Sequence, residues 1–528
     1  MVNTFGDLLK HSFFLVIPKQ QNNPQRLREF EEKILQQWIS ELPVANLGLA
    51  TRLIYDFILE FNALAMPSQL RFDTLELLRP SLLMVEEYLR SKLTKNLFPK
   101  DENDQKVLKL LVALQRQFTI GYWIVVKELT ENESRWFKSK NAAISIQRTI
   151  KGLGNIIVSY LIMGMRVPDW VWIDLHALYI LSVKTKKNAI QVVNWDNNAI
   201  KKTSSPEECY LQILLLSLAD SSGMLQKEIV MVHRFIETVC PLVRISTSPV
   251  LMGEYECIIV TEEDDPPYFR HINDGKEIAQ SLRKDVPAVL YLDFRILNKA
   301  LLDKKIPVDE NLSRFTAINR DDTKEAMTET LLAYLQRRWF GKALESDFLF
   351  SDRLDRFVAI GLVASVKLQT SQEKATEDQE FLVNSVSSQL LSGLFKANVM
   401  SIGSLISFRK VDMPQHKRTL GVVNRLIVEK DSGRISFGLR MLTDKVMPVR
   451  YLKNDGQLSD VPKSALLYKL EDEIDKNFII MDTFIFKDGD SIQLYVNQEQ
   501  FPIILKNRKN IALGYWQFEC LRIPERNY

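Results

Sequence analysis

Two β-type runs of residues between positions 418 and 441, joined by a turn sequence, predict a β-hairpin. In its second segment the odd-numbered residues from Ile435 to Met441 are apolar, and the even-numbered ones from Arg434 to Arg440 are small or basic. The Asp-Ser-Gly sequence at 431–433 supplies the residues that a tight turn needs. We therefore expect one face of the hairpin to join a core and the other to be basic.

The first 240 residues have the apolar periodicity of consecutive helices, with short connections marked by proline, serine or glycine. The predicted helices are 27–42, 45–65, 68–95, 104–129, 141–165, 168–185, 206–218 and 225–239. Short connections favour antiparallel neighbours, as in a helical bundle or a repeat-like array. Trp170, Trp172, His176 and Tyr179 could line a ligand groove, although buried helix packing is the more common role of such aromatic residues.

Short strands with turn residues between them begin near residue 348. The predicted strands are 357–368, 382–395, 405–409, 420–428 and 434–442, with a polar, mobile loop at 370–380. This density predicts a small closed or nearly closed β-barrel. A second β-rich block, with strands 478–486, 492–496, 501–505 and 516–523, is either another barrel or an extension of the first.

The stretch between the helices and the barrel predicts a small α+β region. Its predicted elements are strands at 250–260 and 288–294 and helices at 297–304 and 323–339. The acidic run 262–265 is interpreted as a solvated turn, because adjacent carboxylates lack the alternating spacing of a calcium loop. The fold class is therefore α+β multidomain, divided as follows: helical scaffold 1–240, middle region 241–347, barrel 348–455 and second β-rich block 456–528.

Composition limits the possible functions. The chain has 528 residues, 46% of them hydrophobic, and a net charge of +3, which by itself indicates neither a nucleic-acid nor a membrane partner. Four dispersed cysteines and five dispersed histidines show no metal-ligand spacing. The sequence lacks a recognisable signal peptide, and its longest apolar run, 156–165, is too short to span a bilayer. We expect a cytoplasmic protein without metal.

Positive charge is concentrated in the predicted barrel. Residues 401–450 contain ten Lys and Arg against four Asp and Glu, a net charge of +6. Such a face could bind an anion, or it could protect sheet edges from aggregation. Because phosphate-binding, dinucleotide-binding, nucleophile-elbow and metalloprotease motifs are absent from the sequence, we predict a binding protein rather than an enzyme, with no catalytic residues.

The order of segments in the barrel resembles the PilZ domain, a bacterial β-barrel family that binds cyclic di-GMP. The similar segments are the arginine-containing 351–360, the Asn-Ser-Val-Ser sequence at 384–387, 402–409 and 420–426. The resemblance covers about 348–450. It implies that the helical region belongs to a large bacterial protein carrying such a barrel.

The resemblance also implies a ligand site. The family has R-x-x-x-R and [DN]-x-S-x-x-G motifs; here Arg353 and Arg356 correspond to the first with a spacing shorter by one residue. Ser385 and Ser387 correspond to the second, in which Leu390 stands where the family has glycine, and an alternative alignment begins at Asn384. By this resemblance the arginines contact phosphate or guanine and the serines add polar contacts.

Three functions remain open from the sequence. The first is a non-enzymatic signalling receptor or adaptor that has no cofactor, senses cyclic di-GMP and presents its helical scaffold to a protein partner. The second is a nucleic-acid-binding protein in which Phe408, Phe437 or Trp516 stacks on bases. The third is a protein–protein scaffold with a degenerate barrel. An enzyme with its site in the aromatic-rich helical region ranks last, because no motif supports it.

Overall fold

The computed structural model shows helices up to residue 239 and mainly β-structure from residue 349 onward, which confirms the α+β multidomain class. It describes residues 13–523 except 96, 132–139, 196–200, 275–286, 310–312, 318–326, 343–348, 372, 374, 377–378, 430–431, 454–460, 471–472 and 498. In this part of the chain, no helix is long and apolar enough to cross a membrane.

The helical region follows the sequence prediction closely. Its helices are α1 (Pro24–Leu27), α2 (Glu32–Ser40), α3 (Leu47–Asn62), α4 (Ser68–Leu93), α5 (Glu102–Glu131), α6 (Lys140–Ile162), α7 (Val171–Lys184), α8 (Pro206–Leu218) and α9 (Gln226–Val239). The single helix predicted at 27–42 is wrong, because a 3₁₀ turn at Arg28–Phe30 separates α1 from α2. Ser205 and Glu208 form a capping box that starts α8.

Close helix packing builds the core of this region. A side chain added at Gly154 of α6 would lie 2.6 Å from Ile213 of α8, so glycine allows the two helices to approach. The aromatic residues of α7 are buried and pack in the core, which is the role that the sequence analysis gave as the more common one. The buried ring of His176 is bonded to the Tyr210 hydroxyl at 2.6 Å and to the Asp265 carbonyl at 2.9 Å.

The middle region is an antiparallel sheet whose core is continuous with that of the helices. A hairpin of β1 (Val192–Trp195) and β2 (Lys201–Ser204) precedes it within the helical region. The sheet contains β3 (Arg244–Ser246), β4 (Leu251–Met252), β5 (Tyr255–Val260), β6 (Tyr268–His271) and β7 (Val289–Asp293). It is followed by α10 (Arg295–Leu302), α11 (Arg314–Ala317) and α12 (Glu329–Trp339). Strand order is β3-β7-β5-β4, with β6 also paired to β5.

Two sequence predictions in this region need correction or restriction. The acidic turn 262–265 is more than a solvated loop, since the Asp264 carboxylate accepts hydrogen bonds from the Trp170 and Ile173 backbone N–H groups at the start of α7. The helix predicted from residue 323 is described only from Glu329, and residues 323–326 lie outside the described residues.

The first barrel is closed, in the order β10-β13-β12-β11-β8-β9. Its elements are β8 (Arg356–Ile360), α13 (Leu362–Thr370), β9 (Phe381–Ser385), β10 (Leu391–Gly393), β11 (Leu405–Lys410), β12 (Thr419–Val428) and β13 (Ile435–Thr443). The predicted hairpin is confirmed by the antiparallel register of β12 and β13, with Val428 opposite Ile435. Lys430 and Asp431 of its turn lie outside the described residues.

Two of the predicted barrel strands are wrong in part. The strand predicted at 357–368 ends at Ile360, and Gly361, with a φ of +87°, leads into α13. The strand predicted at 382–395 is divided into β9 and β10 by a turn at residues 386–390. That turn carries part of the sequence motif.

The second β-rich block forms a closed barrel of its own, in the order β14-β15-β16-β19-β18-β17. Its strands are β14 (Val446–Lys453), β15 (Lys463–Leu470), β16 (Glu473–Met481), β17 (Ser491–Val496), β18 (Glu499–Ala512) and β19 (Tyr515–Arg522). A buried apolar layer that includes Leu362, Leu420, Leu466 and Phe478 joins the two barrels. The chain passes from the first barrel to the second through the short link between β13 and β14.

Candidate functional site

The fold brings the two predicted motif segments together. We call residues 350–356 the arginine segment and residues 385–390 the serine turn. The Phe350 N–H donates to the Ser388 carbonyl at 3.0 Å, and the Arg353 guanidinium donates through Nη1 to the Val386 carbonyl at 2.9 Å. The Ser385 hydroxyl donates to the Phe350 carbonyl at 3.4 Å. The closing of β8 against β9 therefore places both segments at one end of the first barrel.

Of the two motif arginines, Arg353 is the one whose side chain is accessible to a ligand. Its side chain is exposed, and its backbone has a φ of +57°, a left-handed conformation that few non-glycine residues adopt. A guanidinium has five N–H donors. Only the bond to the Val386 carbonyl occupies a donor among the described residues, so the remaining donors face solvent.

Arg356, by contrast, is buried and bonded to neighbouring groups of the arginine segment. It is 2% exposed and donates to the Leu354 carbonyl at 2.6 Å and to the Asp352 carboxylate at 2.7 Å, with its guanidinium 4.9 Å from the centre of the Phe350 ring. The other Asp352 oxygen pairs with Lys410 at 2.9 Å. Desolvation opposes ionisation of Asp352, but hydrogen bonds from Lys410 and Arg356 outweigh it and lower the pKa of Asp352 to about 2.

The serine turn needs no glycine. The Ser387 hydroxyl accepts hydrogen bonds from the backbone N–H groups of Gln389 and Leu390, at 3.1 and 2.9 Å, and so closes the turn. Leu390 does not have a positive φ. The leucine that departs from the family motif therefore introduces no backbone strain here.

A cleft of about 850 Å³ lies between the two barrels; we call it the inter-barrel cleft. Seven of its lining side chains are Lys or Arg and two are Asp. Arg356 lies in its wall, whereas Arg353, Ser385 and Ser387 lie outside it. The predicted site residues are thus divided between a solvent-facing group and the wall of this cleft.

A buried ion-pair cluster supports one wall of the cleft. Glu380 accepts two hydrogen bonds from Arg409, at 2.9 and 2.8 Å, and one from Arg418. Burial favours the neutral carboxyl, but hydrogen bonds from both arginines outweigh it and hold the pKa of Glu380 below its ordinary value. The sequence placed Glu380 at the end of a predicted mobile loop. This prediction is wrong for Glu380, because two arginines hold its carboxylate. Residues 372, 374, 377 and 378 of that loop lie outside the described residues.

The basic barrel face predicted from the sequence is therefore not uniform. Arg418 is buried in the Glu380 cluster, and Arg434 donates to Asn384 and to the Ser392 carbonyl, each at 3.1 Å. Phe408 and Phe437 are buried in the first barrel core, so the expectation that they stack on bases is wrong. Trp516 is covered by the Arg508 guanidinium, 3.8 Å from the ring centre.

Sequence reasoning missed the residues that complete the cleft. Lys469 belongs to the second barrel and Glu380 to a polar stretch. The residues next to them in the sequence therefore gave no indication of their place at the cleft. Asp352 lies beside the arginine pair, but its ion pairs depend on the closing of the barrel. Within the described ranges, no group of three or more His, Cys, Asp and Glu residues could hold a metal ion.

These features define a class of protein: a multidomain protein with a helical N-terminal region and two closed β-barrels that have a basic cleft between them. Residues 33–250 match the family model described as the N-terminal domain of the cyclic-di-GMP receptor FimW. The matched part begins within α2, extends past the end of α9 and contains no barrel strand.

A curated protein from Pseudomonas aeruginosa, the cyclic-di-GMP receptor FimW, is 30% identical to this chain over 262 residues. The alignment covers 49% of this chain and 42% of that protein, so the chain spans less than half of the relative's length. No solved structure matches the chain. The family-model match at residues 33–250 concerns the N-terminal half, whereas the PilZ resemblance concerns the first barrel.

Proposed function

We propose that this protein is a non-enzymatic receptor for cyclic di-GMP, which binds at the arginine segment and serine turn of the first barrel. The observation that carries the proposal is the contact between Arg353 and the Val386 carbonyl, which joins the two segments that the PilZ resemblance assigned to the ligand. Independent support comes from residues 33–250, which match the model of the N-terminal domain of a cyclic-di-GMP receptor, and from a curated protein of that description that is 30% identical over 262 residues.

The contacts suggest different roles for the two arginines. Arg353 has free donors and can grip a phosphate or a guanine edge, as exposed guanidiniums do. Arg356 would reach a phosphate only by exchanging the Asp352 carboxylate for it, so its role before binding is to shape the arginine segment. Ser385 and Ser387 add polar contacts beside Arg353.

The proposal includes the domain division given above, with the boundary between the two barrels moved from residue 455 to the link before β14, because β14 belongs to the second barrel. The helical scaffold would pass the ligand signal to a protein partner, because stacked helices present grooves suited to peptides or helices. Direct contacts connect the two parts: the Phe98 N–H donates to the Met400 carbonyl at 2.7 Å, and the Val428 N–H donates to the Gly164 carbonyl at 3.1 Å.

Isothermal titration calorimetry of the full chain with cyclic di-GMP tests the proposal. We expect Arg353→Ala to weaken binding about ten- to hundredfold, because a hydrogen bond to a charged group contributes about 1.5–3 kcal/mol. Arg450→Ala is the matched control, since Arg450 is also an exposed arginine but lies on the second barrel outside the cleft. Absence of heat with the wild-type chain at high micromolar ligand would refute the receptor proposal.

A further inference from the structure

Three lysines of the inter-barrel cleft have no ion-pair partner among the residues that the structure describes. Lys417 lies in the loop between β11 and β12, Lys445 in the link between the barrels, and Lys469 near the end of β15. All three are exposed, and none forms an ion pair with any residue that the structure describes. By contrast, Lys410 of the same cleft is paired with Asp352 at 2.9 Å. Among the described lining residues, the cationic side chains therefore outnumber the carboxylates that could neutralise them, even when Asp444 is included.

The backbones that carry these lysines are fixed. The Lys445 N–H donates to the Thr443 hydroxyl at 3.0 Å, and the same hydroxyl donates to the Lys469 carbonyl at 3.1 Å. On the opposite side, Arg409 donates to the Met413 carbonyl at 2.7 Å and so holds the loop that carries Lys417. The backbone positions from which the three side chains extend are thus set before any ligand arrives, so binding has to order only the side chains.

The lining of the cleft also contains apolar groups. Met413 and Met447 line it and are exposed, and Met441 and Tyr468 line it as well. Methionine side chains adapt to flat ring systems and make favourable sulfur–aromatic contacts. A volume of about 850 Å³ is within the range of pockets for small molecules and cofactors. A cleft that combines cationic side chains with exposed methionines matches a ligand that has phosphate groups and a planar ring.

We propose that the inter-barrel cleft is a nucleotide-binding site, in which Lys417, Lys445 and Lys469 contact phosphates and Met413 and Met447 pack against the base. This site goes beyond the function proposed above, because Arg353, Ser385 and Ser387 lie outside it and only Arg356 and Asp352 of the arginine segment lie in its wall. A cyclic dinucleotide and a nucleoside triphosphate share the required chemistry. Since the lysines come from both barrels, a bound nucleotide would also fix one barrel relative to the other.

Charge reversal in the full chain tests the site. The variant Lys417→Glu, Lys469→Glu is compared with Lys367→Glu, Lys463→Glu, which makes the same change of charge at exposed lysines outside the cleft. Cyclic di-GMP, GTP and inorganic pyrophosphate are each titrated by calorimetry. We expect at least one nucleotide to bind the wild type and the control alike, and to bind the cleft variant at least tenfold more weakly. Pyrophosphate, which lacks the base, should bind the wild type more weakly than that nucleotide.

The outcomes separate the cleft from the receptor site. If Arg353→Ala weakens cyclic di-GMP binding while the cleft variant binds every probe as its control does, the receptor proposal stands and the cleft proposal is wrong. If nucleotide binding depends on the lysines but not on Arg353, the cleft proposal stands and the motif assignment is wrong. Binding of no probe to the wild type overturns both. Equal melting temperatures of the variant and its control establish that the exposed substitutions leave the fold intact.

Discussion

Replacement of Glu380 with alanine is the most direct test of how the first barrel supports the cleft. The Glu380 side chain is 4% exposed, and those of its partners Arg409 and Arg418 are 11% and 0% exposed. The Arg418 guanidinium also donates to the Ser407 hydroxyl and carbonyl, at 2.9 and 3.0 Å. Alanine would leave two guanidiniums in a buried site without a carboxylate.

The expected cost is large because one anion serves two buried cations. Breaking a buried ion pair by removal of one partner costs about 3–5 kcal/mol. The contribution should also depend on pH. Since the folded pKa of Glu380 lies below its ordinary value of 4.5, its ionisation stabilises the fold above that value, and the stabilisation is lost as the pH falls through the folded pKa. The difference between wild type and Glu380→Ala should therefore shrink in acid.

Hydrogen exchange measured by mass spectrometry on peptides from β11 and β12 reports the opening free energy of this barrel region. The matched control is Glu373→Ala, an exposed glutamate of the same connection with no ion pair among the described residues; it should change that free energy by less than about 0.5 kcal/mol. A loss for Glu380→Ala no larger than that of Glu373→Ala, or a loss that is unchanged at acidic pH, would refute the role assigned to this carboxylate.

Two further predictions concern stability. Gly403→Ala should destabilise the fold by about 1–3 kcal/mol in chemical denaturation, because a Cβ there would overlap the Phe315 ring; Gly433→Ala shares the positive φ but has open space, so equal effects would contradict a steric cause. Burial lowers the pKa of His176 to about 4, despite its hydrogen bond to the Asp265 carbonyl. The free energy of unfolding should therefore fall from about pH 6.5 towards pH 4, where only the unfolded chain takes up this proton, and His176→Gln should flatten that dependence; an unchanged slope would contradict it.

Elements with strong local signals could be predicted from the sequence. The second strand of the β12–β13 hairpin alternates apolar and polar residues after a turn sequence, and α8 has a proline at its first turn with Ser205 and Glu208 in capping-box spacing. Both signals depend on neighbours within a few residues. The fold class and most helix positions followed from features of this kind.

Other parts depend on contacts that the sequence does not encode locally. The stretch after Gly361 is apolar enough to suit a strand or a buried helix, and packing of Leu362 and Val366 between the barrels selects the helix α13. Glu380 lies 29 and 38 residues from its partners Arg409 and Arg418, so its polar neighbours suggested a loop instead. Lys469 joins the cleft only because the second barrel packs on the first.

The contacts between the first barrel and the helical region suggest how a ligand signal would leave the barrel. Strand β12 meets the helical region at two places: the Val428 N–H bonds to the Gly164 carbonyl, and Arg425 lies 3.9 Å from Asp220 and 3.2 Å from the Ser222 hydroxyl. Strand β12 is also paired with β13, which leads directly into the link that carries Lys445. A change in the angle between the barrels would therefore act on a strand that is bonded to the helices. Because Arg425 remains partly exposed, this contact can rearrange at a small free-energy cost, whereas the buried Glu380 cluster cannot.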